Sequence, residues 1–284
     1  MTKSKEITAT NDVMFKIILG APKHTRLLIH FLNSAIKSET PIESVEIINT
    51  ELTPEYIGQK GSRLDIKAKT RSGELINVEM QCGTEKHMVA RVLFYWSKMF
   101  AGQIEVSDEY YKLKRTVSIS ILDFRLFDDD RYWRKNHITD DETKEKTTEL
   151  LEMQFIELNK MRQVDKESPI TFWIEFFRNP YSESVRALCD YVPEIREAKD
   201  IFEKAKSDPK ARELIETREK ALHDYANDIA NARNESKAEG IIEGELKKAG
   251  ALALKMLKKG ASIEDIADLT ELPVEQIKSL RDKQ

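Results

Sequence analysis

Two acidic residues at matching positions of neighbouring strand candidates carry the clearest chemical signal in the sequence. Residues 64–69 and 75–81 both alternate apolar and polar side chains, which is the period of a β-strand with one buried face. Asp65 lies on the polar face of the first candidate, and Glu79 lies on the polar face of the second. The intervening Arg71-Ser72-Gly73 predicts a hairpin turn, so the two candidates should pair with each other.

A three-residue loop sets the expected register of this hairpin. Ile66 then lies opposite Val78 on the apolar face, and Asp65 lies opposite Glu79 on the polar face. Like charges directly opposed across strands, with Cβ atoms about 4.5–5.5 Å apart, are destabilising. A Mg²⁺ ion, commonly held by one or two carboxylates with water and phosphate oxygens, would relieve that repulsion. Such an ion could also polarise a phosphoryl group and lower the pKa of a bound water.

The residue pattern leaves a second interpretation of these acids open. Asp65 and Glu79 could be solvated residues on the wet face of a sheet, and a change of one residue in the loop would undo their pairing. Lys67 shares the polar face of Asp65, and Gln81 shares that of Glu79.

The elements that must position these residues follow from periodicity and turn signals. A helix is expected over residues 11–37, interrupted at Ala21-Pro22, and another over 87–103. Strands are expected over residues 44–52, 63–70, 74–81, 116–122 and 150–158. Residues 127–147 are dense in charge and are interpreted as an exposed insertion or loop.

Beyond Pro169 the pattern indicates helices alone. They are expected over residues 172–177, 184–191 and 194–206, followed by a long charged helix over 209–246. Gly240 and Gly244 predict a joint at about 240–250, because an interior glycine costs a helix about 1 kcal/mol. The expected division is therefore a core at 1–168, a helical extension at 169–246 and a small trihelical tail at 247–284.

Composition excludes several classes of protein. Lys plus Arg number 46 and Asp plus Glu number 50, so the chain is not coated uniformly in positive charge. No apolar run approaches the roughly 18 residues that span a bilayer, and no membrane association is expected. Two distant cysteines argue against a disulfide framework or a zinc site. We expect a cytoplasmic protein without a small-molecule cofactor, since no nucleotide-binding fingerprint is present.

Four motifs follow one another along the chain: Asn11-Asp12-Val13-Met14-Phe15-Lys16, Arg63-Leu64-Asp65-Ile66, Asn77-Val78-Glu79-Met80-Gln81, and Arg91 with Tyr95. In this order they resemble the recombination-promoting nuclease/putative transposase family of the PD-(D/E)xK nuclease superfamily. The resemblance covers about residues 8–125 well. It implies an α/β fold with a restriction-endonuclease-like αβββαβ core, and the order predicted above from periodicity is the same. An all-helical C-terminal region would follow that core.

The resemblance also implies roles for individual residues. Asp65 and Glu79 match the two metal-binding acids, and Gln81 falls where the superfamily usually has a catalytic lysine. A lysine there would stabilise charge on the phosphate, whereas glutamine, usual in this family, can only donate a hydrogen bond. Lys67 is favoured as the substitute cation and Arg91 as a phosphate contact.

Asp12 matches the position where many superfamily members place an additional metal-binding acid. The alternative is a first-turn acid favoured by the helix dipole, and the sequence leaves both open.

The tail contains a basic segment, and its last two helices resemble the helix-turn-helix of recombinases. Its lysines would contact DNA phosphates while the final helix entered the major groove. A packing or dimerisation tail is the alternative. The aromatic residues between 94 and 100 are interpreted as core rather than as a base-stacking platform. The tail lysines are Lys247, Lys248, Lys255, Lys258 and Lys259.

The predicted function is a DNA endonuclease that depends on Mg²⁺ or another divalent cation and is linked to DNA recombination or mobile elements. A catalytically inactive nuclease fold retained for DNA binding or assembly is the alternative, and a scaffold self-associating through residues 209–246 is a third. DNA is the expected partner. A homodimer would suit double-strand cuts, although nothing in the sequence requires one.

Overall fold

The computed structural model describes residues 7–38, 40–48, 65–83 and 86–282. Its centre is a six-stranded mixed sheet with the strand order β1-β2-β3-β4-β6-β5. The predicted α/β class is therefore confirmed. The strands are β1 (Val45–Ile47), β2 (Ile66–Thr70), β3 (Leu75–Gln81), β4 (Thr116–Leu122), β5 (Trp133–Asn136) and β6 (Leu151–Glu157).

The sheet combines two kinds of strand pairing. Strands β1, β2 and β3 pair antiparallel in sequence order, and β3, β4 and β6 pair parallel. Parallel neighbours need a crossover connection, and helix α3 (Met88–Ala101) lies between β3 and β4 in the chain. The hairpin β2–β3 therefore meets the parallel half of the sheet along β3.

The hairpin register is the one that the sequence predicts. Ile66 pairs with Val78 and Lys67 with Asn77. Burial alternates along both strands, with the apolar residues inside. Residues 63 and 64, which the sequence places opposite 81 and 80, lie outside the described residues.

Helices cover the apolar face of the sheet and close the main core. Phe15 of α1, Phe31 of α2, and Trp173 and Phe177 of α4 are buried there together with the inward residues of β2, β3 and β4. Tilted ring contacts join them, such as 5.6 Å between the centroids of Phe15 and Phe177. These helices are α1 (Asp12–Leu19), α2 (Thr25–Ile36), α4 (Ile170–Arg178), α5 (Glu183–Tyr191) and α6 (Pro193–Ser207).

Two expectations about local structure are wrong. Residues 127–147 are not merely a loop, because they contain β5, which pairs antiparallel with β6 at the edge of the sheet. The long helix α7 (Pro209–Lys258) runs without a break through residues 240–250. A side chain on Gly240 or Gly244 would meet nothing within 4 Å, so neither glycine answers a steric need.

The chain divides into two compact units, residues 1–221 and 222–284. The second unit contains the end of α7, then α8 (Ile263–Thr270) and α9 (Val274–Asp282). Gly260, with φ at +78°, lies just beyond α7, and the Ser262 side chain caps α8 by accepting from the Asp265 backbone N–H. Ala253, Ile266 and Ile277 form its small core. No helix in the described ranges is long and apolar enough to cross a membrane.

Candidate active site

The hairpin β2–β3 brings the two predicted metal-binding acids to one place. Glu79 and Gln81 lie on the same face of β3, and Asp65 immediately precedes β2. Continuing the observed register by one pair sets Asp65 opposite Glu79. Their side chains are only 10% and 16% exposed. Two carboxylates are thus held close together with most of their surface withdrawn from water.

Cations accompany both acids. Lys67 Nζ lies 3.6 Å from Asp65 Oδ2, and the Lys67 side chain is 48% exposed. Arg91 of α3 forms an ion pair with Glu79 and donates a hydrogen bond of 3.1 Å to Gln81 Oε1. The cation in contact with Gln81 is therefore Arg91, while Lys67 lies beside Asp65. The sequence indicated both residues but not this division between them.

Two further side-chain oxygens lie on this face of the sheet. The parallel register pairs Asn77 with Ser118 and Glu79 with Ser120. Asn77 Oδ1 and Ser120 Oγ are buried, and neither has a hydrogen-bond partner within the described part of the chain. Buried polar atoms normally have partners. A hydrated cation or a phosphate-bearing ligand could satisfy them, and alternation alone did not single out either residue.

The donor chemistry fits a hard cation, although the number of side-chain ligands is small. Carboxylate oxygens and water are the ligands that Mg²⁺ prefers, and one or two carboxylates are sufficient when phosphate oxygens complete the shell. No group of three or more His, Cys, Asp or Glu residues that could hold a metal occurs in the described ranges. Asp65 and Glu79 therefore form a two-carboxylate site at most among those residues.

Asp12 has a partner that the sequence did not indicate. It is the first residue of α1, where the Asn11 side chain caps the helix by accepting from two backbone N–H groups. Asp12 Oδ2 lies 2.7 Å from Arg218 Nε of α7, and the Arg218 side chain is only 9% exposed. A separation of 206 residues leaves no local pattern to reveal this pair.

Cys82, which follows Gln81, has an unreactive thiol. Partial burial, followed by the nearby Asp123 and Asp12 carboxylates, raises the pKa of its thiol to about 12, even though part of the residue is exposed. Its sulfur lies 3.1 Å from the carbonyl oxygen of Thr10. The thiol therefore stays protonated at neutral pH and is a poor nucleophile. The contact with Thr10 also brings the start of α1, where Asp12 lies, near the end of β3.

The aromatic residues of α3 divide into two groups. Trp96 is buried, donates to the Thr116 carbonyl at 2.8 Å and stacks on Phe100 at 5.0 Å, as the core interpretation expects. Phe94 and Tyr95 are 52% and 39% exposed, so for these two residues the core interpretation is wrong. Residues spaced four apart on a helix share a face, and Met88, Val92 and Trp96 take the buried one.

The five tail lysines belong to the second unit, and all of them are exposed. Lys247 forms an ion pair with Glu243. The four on α7 occupy one side of the helix, whereas Ala253 occupies the buried side, and Lys259 follows directly after the helix. They form a local basic surface.

A mixed sheet with many helices, carrying two opposed carboxylates on one hairpin, is consistent with the PD-(D/E)XK nuclease fold. The chain belongs to the PD-(D/E)XK nuclease family transposases, whose family model matches residues 9–232. This membership confirms the resemblance found in the sequence and indicates a nuclease- or transposase-like function. No curated protein and no solved structure shows a significant match to the chain.

Proposed function

We propose that the protein is a DNA endonuclease that hydrolyses phosphodiester bonds with the aid of Mg²⁺ or another divalent cation. The observation that carries the proposal is the hairpin register, which sets Asp65 opposite Glu79 with Gln81 on the same face. We further infer that α1, β1–β3, α3 and β4 are the αβββαβ core of the family, within a nuclease core of residues 1–168.

Each side chain of the site has a role in this proposal. Asp65 and Glu79, with Asp12 as a further candidate, would hold the cation, which when bound supplies charge neutralisation and a more acidic water. Arg91 donates to Gln81 Oε1, and the amide nitrogen of Gln81 would be the group that donates to the attacking water. Arg91 and Lys67 would stabilise the charge that develops on the phosphate.

The chemistry is a balanced hydrolysis. The water oxygen bonds to phosphorus, one phosphorus–oxygen ester bond breaks, and the leaving oxygen receives a proton.

The exposed tail lysines would add phosphate contacts outside the core. A second copy of the chain would allow cuts in both strands. The proposal assigns the protein to the cytoplasm, where free thiols such as those of Cys82 and Cys189 persist, and to DNA recombination or mobile elements.

A plasmid assay tests the proposal. Supercoiled plasmid with Mg²⁺ should be nicked or linearised, and EDTA should abolish the product. Glu79→Ala should lower the rate by at least about 10²-fold, the scale of losing one transition-state contact. Glu46→Ala, at an exposed glutamate of β1 that pairs with Lys69 and not with a residue of the site, should cleave like the parent protein. Cleavage that persists in EDTA or in Glu79→Ala would overturn the assignment.

A second candidate function is DNA binding without cleavage. Gln81 stands where a catalytic lysine is usual, and the Arg91–Glu79 ion pair competes with a cation for that carboxylate. This candidate predicts intact plasmid with every divalent ion together with a salt-sensitive mobility shift. The plasmid assay therefore distinguishes the two.

A further inference from the structure

Helix α3 has a further side that lies outside its buried face. Positions three and four apart lie next to each other along one side of a helix, and here that side reads Arg91, Phe94, Tyr95 and Lys98. We call these four residues the α3 stripe. One end of the stripe is Arg91, which contacts Glu79 and Gln81. The stripe therefore leads from the candidate active site along the helix surface.

The stripe combines aromatic surface with positive charge. Phe94 is 52% and Tyr95 39% exposed, and their rings meet edge to face at 5.2 Å. Lys98 Nζ lies 4.9 Å from the centre of the Phe94 ring. Residues 88–101 contain no Asp or Glu, so the helix carries positive charge only. Exposed rings between cations are the combination that binds nucleic-acid strands, with bases stacking on the rings and phosphates meeting the cations.

We propose that the α3 stripe binds unpaired nucleotides of the DNA substrate beside the phosphate that is cut. This inference rests on the proposed function and adds to it a preference for DNA that contains a single-stranded segment. In a duplex the base faces are already stacked on one another, whereas each base of a single strand offers a face to an aromatic ring. A duplex would use the cations of the stripe but leave Phe94 without a base.

The observations favour DNA over a second copy of the chain as the occupant. The aromatic pair lies between Arg91 and Lys98, and a polyanion complements that charge pattern. The exposed apolar residues Val89 and Leu93 lie on α3 outside the stripe. An apolar interface with a second copy would use those two residues and would not require the cations of the stripe.

Binding measured without cleavage tests the inference. Fluorescence anisotropy in EDTA would compare a labelled single-stranded oligonucleotide with the duplex of the same sequence. Phe94→Ala should weaken single-strand binding by about 5- to 150-fold, the range measured for losing one stacked base. Duplex binding should change by less than about twofold, because phosphate contacts dominate there. Phe94→Trp should retain single-strand binding.

Matched variants make the result specific to the stripe. Leu93→Ala removes an equally exposed apolar residue from the same helix and should change neither affinity. Lys98→Ala should remove about one phosphate contact. The slope of log K against log salt concentration for single-strand binding should then become less steep by about 0.7. Circular dichroism of each variant confirms that the fold is intact.

The outcomes separate this inference from the proposed function. Equal single-strand affinity for Phe94→Ala and the parent overturns the stripe even if plasmid cleavage succeeds. Loss of single-strand affinity in Phe94→Ala supports the stripe even if no metal produces cleavage. A dimer that Phe94→Ala dissociates in sedimentation, with DNA affinity unchanged, would identify the stripe as an interface between copies and overturn the inference.

Discussion

The molecule holds carboxylates in two very different ways. Glu157 at the end of β6 is fully buried. Its Oε1 accepts from the backbone N–H of Leu126 at 2.6 Å and of Phe127 at 3.3 Å, and its Oε2 lies 2.8 Å from Lys160 Nζ. Lys160 in turn donates to the Phe127 carbonyl at 2.7 Å. All of these hydrogen bonds and the ion pair join groups of the protein, and we call Glu157 and Lys160 with their partners the closed cluster. The acids of the candidate active site are the open cluster.

The acids of the candidate active site are arranged in the opposite sense. Asp65 and Glu79 keep only a small exposed fraction, 10% and 16% of their side chains, are set opposite each other, and lie beside buried oxygens without partners in the described ranges. The closed cluster fixes the connection between β4 and β5 against β6. The open cluster sets two carboxylates opposite each other, each beside its own cation, and directly opposed like charges are destabilising unless another group compensates for them. The two clusters therefore differ in their partners: the structural carboxylate is satisfied by groups of the protein, whereas the candidate functional carboxylates lie beside oxygens that a ligand could satisfy.

The largest expected effect on stability lies in the closed cluster. Glu157→Ala leaves the Lys160 ammonium buried without its carboxylate, and breaking a buried ion pair in this way costs about 3–5 kcal/mol. The midpoint of urea unfolding, monitored by circular dichroism, should fall accordingly. Adding Lys160→Met should recover much of the loss. A Glu157→Ala protein as stable as the parent would contradict the structural role.

The ion pair between Asp12 and Arg218 should behave as an intermediate case. Its side chains are 20% and 9% exposed, and Arg218→Met leaves Asp12 without this contact. We expect a loss of about 1.5–3 kcal/mol in the free energy of unfolding, the value of a hydrogen bond to a charged group. Arg212→Met, in which the lost guanidinium donates to the backbone carbonyl of Lys206, is the matched control and should lose less. Equal losses of stability in the two variants would contradict a specific contribution of the Asp12–Arg218 ion pair.

The smallest effect on stability is expected at the open cluster. Asp65→Asn keeps the size of the side chain, removes one of two opposed like charges and weakens the contact with the half-exposed Lys67, so its effects on stability oppose each other. The free energy of unfolding should therefore change by less than about 1 kcal/mol. Plasmid cleavage should nevertheless be lost. A large destabilisation would place Asp65 with Glu157 among the structural acids.

The sequence predicts the site best where its contacts are local. The hairpin follows from strict alternation around a short turn, so the pairing of Ile66 with Val78 can be derived from the residue pattern alone. Strand β5 does not stand out in the sequence because its residues, Trp133–Asn136, are mostly polar and only partly buried, as suits an edge strand. The exposure of Phe94 follows from helical spacing and not from the aromatic composition of its segment.

Contacts between distant parts of the chain could not be derived from the sequence. Arg218 reaches Asp12 from a helix whose apolar positions are sparse, and no periodicity links the two segments. The hydrogen bond from Arg91 to Gln81 depends on how α3 packs over the sheet, and the order of elements does not determine that packing. Such long-range pairs are set by tertiary packing.

Strand β5 also affects how copies of this protein meet. It forms one edge of the sheet, where unpaired backbone groups can template another strand. Arg134 and Lys135 occupy that edge, with the Arg134 guanidinium 4.0 Å from the centre of the Phe127 ring. Charged residues on an edge strand oppose strand-to-strand aggregation. At this edge the charged side chains therefore oppose the addition of a strand from a second copy, which would extend the sheet from one molecule to the next.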